Sequence, residues 1–333
     1  MPVTSSTGEY PRSLAGAYAP LLTPFGAGRL GLALGDIRRQ LDFITEAGMD
    51  GALLLGTNGE FSRLDHNEKL ELVRTVFAHD SGAKFLVGAT VPDSPGKTLE
   101  LAAELAGMGD KLVGLLVAPP YYARTAAGES IELEELAGFY RQLAAVTHPA
   151  LLILYNLPLG PAGPVTAAIT AELVGQLAEE RQIAGVKDSS GRLENIPAFT
   201  GARPGLQVLV GTDHILAPAL AAGAVGSVTA CGNVFPAAVT AVYRASPGPG
   251  RVAAQEELSK LRAVLELVPG KLIATQKLLL YLLRVMPRHS PVRDRSAELT
   301  PGEREQVVLE LEAVARSLQI NQEIGRQLSE IAG

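Results

Sequence analysis

Short apolar runs recur along this chain, with segments of helical periodicity between them. The runs cover residues 16–20, 51–55, 84–89, 114–118, 151–155, 183–187, 206–210 and 227–231. Most are apolar at nearly every position rather than at every second one, which is the pattern of a parallel strand covered on both faces. Between them, residues 36–47, 66–78, 98–108, 133–145, 170–178 and 214–221 carry apolar side chains at spacings of three and four, which predicts helices. Eight strands alternating with helices predict a (β/α)8 TIM barrel, with an open doubly wound sheet as the alternative.

The alternation stops at Ser246-Pro-Gly-Pro-Gly250. Beyond it the pattern is helical over 251–268, 271–284 and 301–331, with Pro287 and Pro291 separating the last two. The expected organisation is a frayed N-terminal segment (1–12), the barrel (13–245) and a C-terminal helical extension (246–333).

Composition narrows the function. Of the 333 residues 47% are hydrophobic, enough for one large core, and without Trp that core is filled by Ala, Leu and Val. A net charge of −6 and no long basic run argue against nucleic acid as a partner. The single Cys231 rules out an internal disulfide, and neither a signal peptide nor an 18-residue apolar span is legible, so a cytoplasmic protein without a membrane partner is expected. The five histidines are scattered and one cysteine makes no thiolate cluster, so no catalytic metal is expected.

Barrel enzymes carry their reacting groups where strands end at the C-terminal face. The polar residues there are Gly56-Thr57-Asn58-Gly59-Glu60, Pro119-Pro120-Tyr121-Tyr122, Tyr155-Asn156, Lys187-Asp188-Ser189-Ser190 and Gly211-Thr212-Asp213-His214. Lys187, one of eight lysines, directly follows Ile183-Ala-Gly-Val186. Desolvation among apolar strands favours a neutral amine, which is the form that attacks a keto carbon. The plain alternative is a strand-end lysine paired with Asp188 or another acid. Tyr155 ends the preceding run and is either a packing residue or a proton relay for the same basin. Thr57 and Asn58 sit between glycines, in a turn able to aim successive N–H groups at a carboxylate, or in a turn with no such role. Tyr121 and Tyr122 can serve simply to cover the mouth.

Taken in order, Gly-Thr-Asn-Gly-Glu, Pro-Tyr-Tyr, Tyr-Asn-Leu-Pro and Gly-Val-Lys-Asp-Ser resemble the dihydrodipicolinate synthase / N-acetylneuraminate lyase family of Schiff-base barrels. The resemblance runs from about Gly16 into the C-terminal helices. It implies that Lys187 is the Schiff-base lysine and Tyr155 the acid/base. Thr57 and Asn58, with Gly59, would hold the 2-oxo acid carboxylate, and Thr57 would also relay protons. Tyr122 would reach a neighbouring subunit's site, implying a homo-oligomer, commonly a dimer of dimers. Val228 would face the lysine with its carbonyl, while Ser189, Gly211, Asp213 and Asn233, together with His214, would meet the variable end of the substrate. No cofactor is implied beyond the covalent imine itself.

One departure bears on specificity. Dihydrodipicolinate-forming members usually carry an arginine shortly after Tyr-Asn-x-Pro, and here the matching position is Gly160. A glycine offers no bidentate cation to a second carboxylate. The sequence therefore looks closer to 2-keto-3-deoxy sugar acid and 4-hydroxy-2-oxoglutarate aldolases, which yield pyruvate or glyoxylate. Dihydrodipicolinate synthesis, dehydration on the same imine, and a silent 2-oxo acid sensor are the rival readings.

Overall fold

The computed structural model describes residues 13–29, 31–121, 124–125, 127–157, 159–160, 163–164 and 168–317. Eight parallel strands close into a barrel: β1 (Gly16–Pro20), β2 (Gly51–Leu54), β3 (Lys84–Gly88), β4 (Leu112–Val117), β5 (Leu151–Asn156), β6 (Ile183–Asp188), β7 (Gln207–Val210) and β8 (Gly226–Val228). Each strand pairs with its sequence neighbours, and β8 closes on β1 through Gly16↔Gly226 and Tyr18↔Val228. The expected TIM barrel is the fold; the open sheet is not.

The outer ring holds α1 (Leu34–Glu46), α2 (His66–Phe77), α3 (Pro95–Ala106), α4 (Leu133–Thr147), α5 (Ala171–Gln176), α6 (Asn195–Ala202), α7 (Leu216–Ala221) and α8 (Pro236–Arg244). Neither α6 nor α8 stood out in the sequence. Pro197 and Gly201 interrupt the periodicity of α6, and α8 is short, opening on Pro236 at its first turn. The eighth strand is shorter than its apolar run, because residues Ala230–Asn233 turn into a 3-10 helix. A two-rung antiparallel ladder, Leu159–Gly160 with Gly163–Pro164, follows β5 and was also not foreseen.

Inside the barrel Tyr18, Leu53, Leu86, Leu116, Ile153, Leu209 and Val228 form one apolar cluster. Leu14 joins it at the floor, its N–H donating to Gln207 Oε1 at 2.7 Å. The barrel is thus a packed core whose only chemistry can lie at its rim. Three further helices follow: α9 (Pro249–Glu266), α10 (Leu272–Leu282) and α11 (Pro301–Ser317). Nearly every residue of α10 is buried, Lys277 among them, so this helix is part of the core. Residues 318–333, into which the third C-terminal helix was expected to run, lie outside the described residues. Among the described residues no helix is long and apolar enough to cross a membrane.

Candidate active site

Strands β5 and β6 end in matching dipeptides. Tyr155 lies opposite Lys187 and Asn156 opposite Asp188, rung for rung. Residues opposite each other in a parallel pair point to the same side, so the Tyr155 and Lys187 side chains enter the barrel together. The Lys187 ammonium lies 4.3 Å from the centroid of the Tyr155 ring. Both residues are buried, at 7% and 4% exposure.

The alternative pairing of Lys187 with Asp188 does not form. Asp188 Oδ1 accepts from Asn156 Nδ2 at 2.8 Å and the Ser190 N–H at 3.0 Å, and Oδ2 accepts from Ser190 Oγ and Asn195 Nδ2, both at 3.0 Å. With both oxygens filled, Asp188 fixes the strand end and the following loop. No carboxylate lies within ion-pair distance of Lys187 among the described residues.

The Tyr155 hydroxyl has an unusual environment. Burial pushes its pKa up, but the Lys187 charge and donors from Ser189, Thr57 and Lys187 more than offset this. The net shift is below the ordinary phenol value. The Thr57 oxygen is buried and, apart from facing Tyr155 in this way, has no well-formed hydrogen-bond partner among the described residues. Ser189 is set by its N–H, which donates to Asn156 O at 3.0 Å, and by Gly211: a Cβ there would lie 2.0 Å from Ser189 Oγ. Only glycine at 211 leaves the Ser189 hydroxyl its place.

The Gly56–Glu60 turn caps β2. The Glu60 N–H donates to Thr57 O at 3.0 Å, and Thr23 Oγ1 donates to Gly59 O at 2.6 Å. Thr57 and Asn58 are half-buried on this turn, where a carboxylate could be received. Glu60, by contrast, faces the C-terminal helices. Its Oε1 accepts from Lys277 Nζ at 2.6 Å and its Oε2 from the Arg293 N–H at 2.8 Å. Sequence reasoning missed Lys277 and Arg293, because nothing in the pattern of α10 or of the Pro291 loop marks them as partners of a loop more than two hundred residues away.

Other expected residues are placed differently. Asp213 does not open onto the mouth: its side chain has no exposure, and Oδ2 accepts from Arg262 Nη1 of α9 at 2.9 Å and from the Cys231 N–H at 3.3 Å. Asn233 is held from behind as well, its Nδ2 donating to Pro20 O and to Gln276 Oε1, both at 2.8 Å, while its Oδ1 and Asp213 Oδ1 have no hydrogen-bond partner among the described residues. For both, a buried polar group in the 3-10 turn that follows a short strand is bonded by a side chain of a C-terminal helix. His214 is half-exposed and pairs with Glu266 at 2.9 Å. Val228 lines the barrel interior beside Tyr18. Tyr122 lies outside the described residues. Arg124, an arginine that could stand in for the cation absent at Gly160, pairs with Glu135 at 2.6 Å and Glu129 at 3.3 Å. Among the described residues no group of three His, Cys, Asp or Glu side chains is placed to hold a metal.

Comparison with known proteins shows the family. Residues 13–307 match the model of the "Dihydrodipicolinate synthetase family". The chain belongs to this family. A relative described as an uncharacterized DapA-like lyase, from Chloroflexus aurantiacus, is 30% identical over 253 residues, 76% of this chain and 81% of that protein. The 4-hydroxy-tetrahydrodipicolinate synthase of Methylacidiphilum fumariolicum superposes with a TM-score of 0.78 at 25% identity, covering 95% of this chain and 99% of that one. A variant of the Sulfolobus solfataricus 2-keto-3-deoxygluconate aldolase shares the fold with a TM-score of 0.79 at 18% identity, over 93% of this chain and 99% of that one. As a family member this chain is a class I lyase of the Schiff-base type.

Proposed function

We propose that this lyase cleaves a 2-keto-3-deoxy sugar acid to pyruvate and an aldehyde through an imine on Lys187. The carrying observation is Lys187 itself: a buried amine with no carboxylate partner, side by side with a phenol of lowered pKa. Lys187 Nζ attacks the keto carbon, water leaves, and an iminium forms. Tyr155, as phenolate, takes the C4 hydroxyl proton with Thr57 and Ser189 steadying its oxygen. The C3–C4 electron pair moves into the iminium, leaving an enamine and a free aldehyde. Protonation at C3 and hydrolysis of the imine return pyruvate and Lys187. Asn58 and the Gly59 backbone, together with Thr57, hold the substrate carboxylate. We read the protein as a homo-oligomer, as the Pro-Tyr-Tyr motif implies, needing no cofactor beyond the imine.

The sugar acid branch is supported by what replaces the arginine. Gly160 pairs with Gly163 in the short ladder, and Arg124 is committed to Glu135 and Glu129. The rival, condensation of pyruvate with aspartate semialdehyde, is favoured by the activity named for the Methylacidiphilum relative. Two measurements test the reading. Borohydride reduction with pyruvate should fix one adduct per chain on Lys187, and an adduct on another lysine, or none, would overturn the mechanism. In side-by-side assays, catalytic efficiency on 2-keto-3-deoxy sugar acids should exceed that on aspartate semialdehyde by roughly 100-fold, the effect of one missing charged pair worth about 3 kcal/mol. A preference for the semialdehyde would reverse the branch.

A further inference from the structure

The carboxylate-receiving turn is held by more than its own backbone hydrogen bonds, Glu60 N–H to Thr57 O at 3.0 Å and Phe61 N–H to Gly56 O at 3.4 Å. Glu60, its last residue, has a left-handed backbone (φ 52, ψ 37), which a glutamate rarely adopts unless its surroundings impose it. The Glu60 side chain is held from the C-terminal extension. Lys277 of α10 is fully buried, and its ammonium is divided between Glu60 Oε1 at 2.6 Å and Pro291 O at 2.9 Å. The Arg293 N–H takes the other Glu60 oxygen, while the Arg293 guanidinium is bidentate to Glu68 of α2 at 2.6 and 2.7 Å. Phe25, on the loop after β1, lies under both cations, 4.4 Å from Lys277 and 4.2 Å from Arg293. Glu60 is therefore gripped from α10, from the loop of Pro291 and Arg293, and through Arg293 from α2. Neither of its oxygens is left to face a substrate.

From this clamp we infer that Glu60, Lys277 and Arg293 are positioning residues, which hold the Gly56–Gly59 turn in the form that receives the 2-oxo acid carboxylate. The C-terminal helices then belong to the substrate-binding apparatus, though no atom of them reaches the reacting carbon. The inference rests on the reading of that turn as the carboxylate site. It separates two roles that a buried ion pair can have. A purely structural pair fixes the fold, and replacing both charges by neutral groups of similar size restores what breaking one of them loses. A positioning pair also fixes the turn, and the neutral replacement recovers the fold without recovering substrate affinity.

The experiment compares wild type, Glu60→Gln, Lys277→Met and the double variant Glu60→Gln/Lys277→Met. The first readout is the pyruvate concentration giving half-maximal borohydride trapping on Lys187. It should rise at least tenfold in each single variant and stay at least fivefold raised in the double variant, while the rate at saturating pyruvate changes less than threefold. The second is hydrogen exchange of the Gly59, Glu60 and Phe61 amides in protein without pyruvate, where protection should fall at least tenfold in the double variant. Far-ultraviolet circular dichroism and the melting temperature report the fold separately, and the double variant keeps the question open to test where a single variant does not fold. A folded double variant with wild-type half-saturation, or with unchanged amide protection, overturns the inference. A wild type that traps no pyruvate overturns the proposed function instead, and the amide protection still decides whether the clamp holds the turn.

Discussion

Two lysines of this molecule are buried beside aromatic rings, and they have opposite fates. Lys277 has no exposure, its ammonium lies 4.4 Å from the Phe25 ring, and it is ion-paired to Glu60. Lys187 is 4% exposed and its ammonium lies 4.3 Å from the Tyr155 ring, yet it has no acid partner among the described residues. Both amines are buried, and of the two only Lys277 has a carboxylate partner among the described residues. Burial pulls the Lys277 ammonium below the ordinary lysine range even though Glu60 pushes it back up. A buried amine that the fold has paired is part of the architecture. One that has no carboxylate partner, beside a hydroxyl with a lowered pKa, is available for chemistry.

The strongest way to break this comparison is to remove the unpaired amine. Lys187→Ala should abolish turnover, a loss on the order of 10⁴-fold or more, because it removes the amine that forms the imine. Steady-state release of pyruvate measures it, and residual activity within tenfold of wild type would show that Lys187 is not the attacking group.

Next in size is a contrast in stability. Lys277→Met strands Glu60 as a buried carboxylate with one backbone donor, which should cost about 3–5 kcal/mol. Lys187→Met strands no charge and fills the same apolar space, so stability should stay within about 0.5 kcal/mol of wild type or rise. Chemical denaturation of the two variants side by side tests this, and equal losses would mean that Lys187 has a stabilising partner as Lys277 does.

The same comparison marks what a sequence discloses. Lys187 and Tyr155 are legible because each ends an apolar run, and a strand end at the C-terminal face is one dimension of the barrel that a chain writes out in order. Their rung-for-rung pairing follows from consecutive strands in a parallel sheet. Glu60 was legible as part of a turn, but its partner was not: Lys277 follows Thr275 and Gln276 in an otherwise apolar helix, and which residue of α10 faces the β2 loop is a fact of tertiary packing. Asp213 and Asn233 show the converse. They stand at the expected points along the chain, and helices packed from outside have claimed them through Arg262 and Gln276. Position along a strand predicts reach toward the mouth; it does not predict which side a residue beyond the strand will turn to. The short β8 ends at Val228, so Asn233 has already left the barrel wall.

The smallest expected effect concerns the proton. Tyr155→Phe removes only a hydroxyl and should lower turnover roughly 100-fold, the scale of a positioned acid/base. Its pH dependence carries more information than its size. Burial would raise the phenol, but the Lys187 charge and the donors Ser189, Thr57 and Lys187 bring it below its ordinary value of 10.0. A group whose value is lower in the folded state stabilises that state fully only above its unfolded value, and the contribution disappears as pH falls through the folded one. Near neutrality, below the phenol's ordinary range, the variant should therefore lose little stability on this account. Activity behaves differently, because the step that takes the C4 proton needs the phenolate. Wild-type turnover should climb with pH on a limb centred below 10, and the Phe variant should lack that limb while keeping its ability to trap pyruvate on Lys187. A Phe variant that retains both the rate and the limb would make Tyr155 a packing residue, and the proton would then have to leave through Ser189 or Thr57, the other hydroxyls acting at the same oxygen.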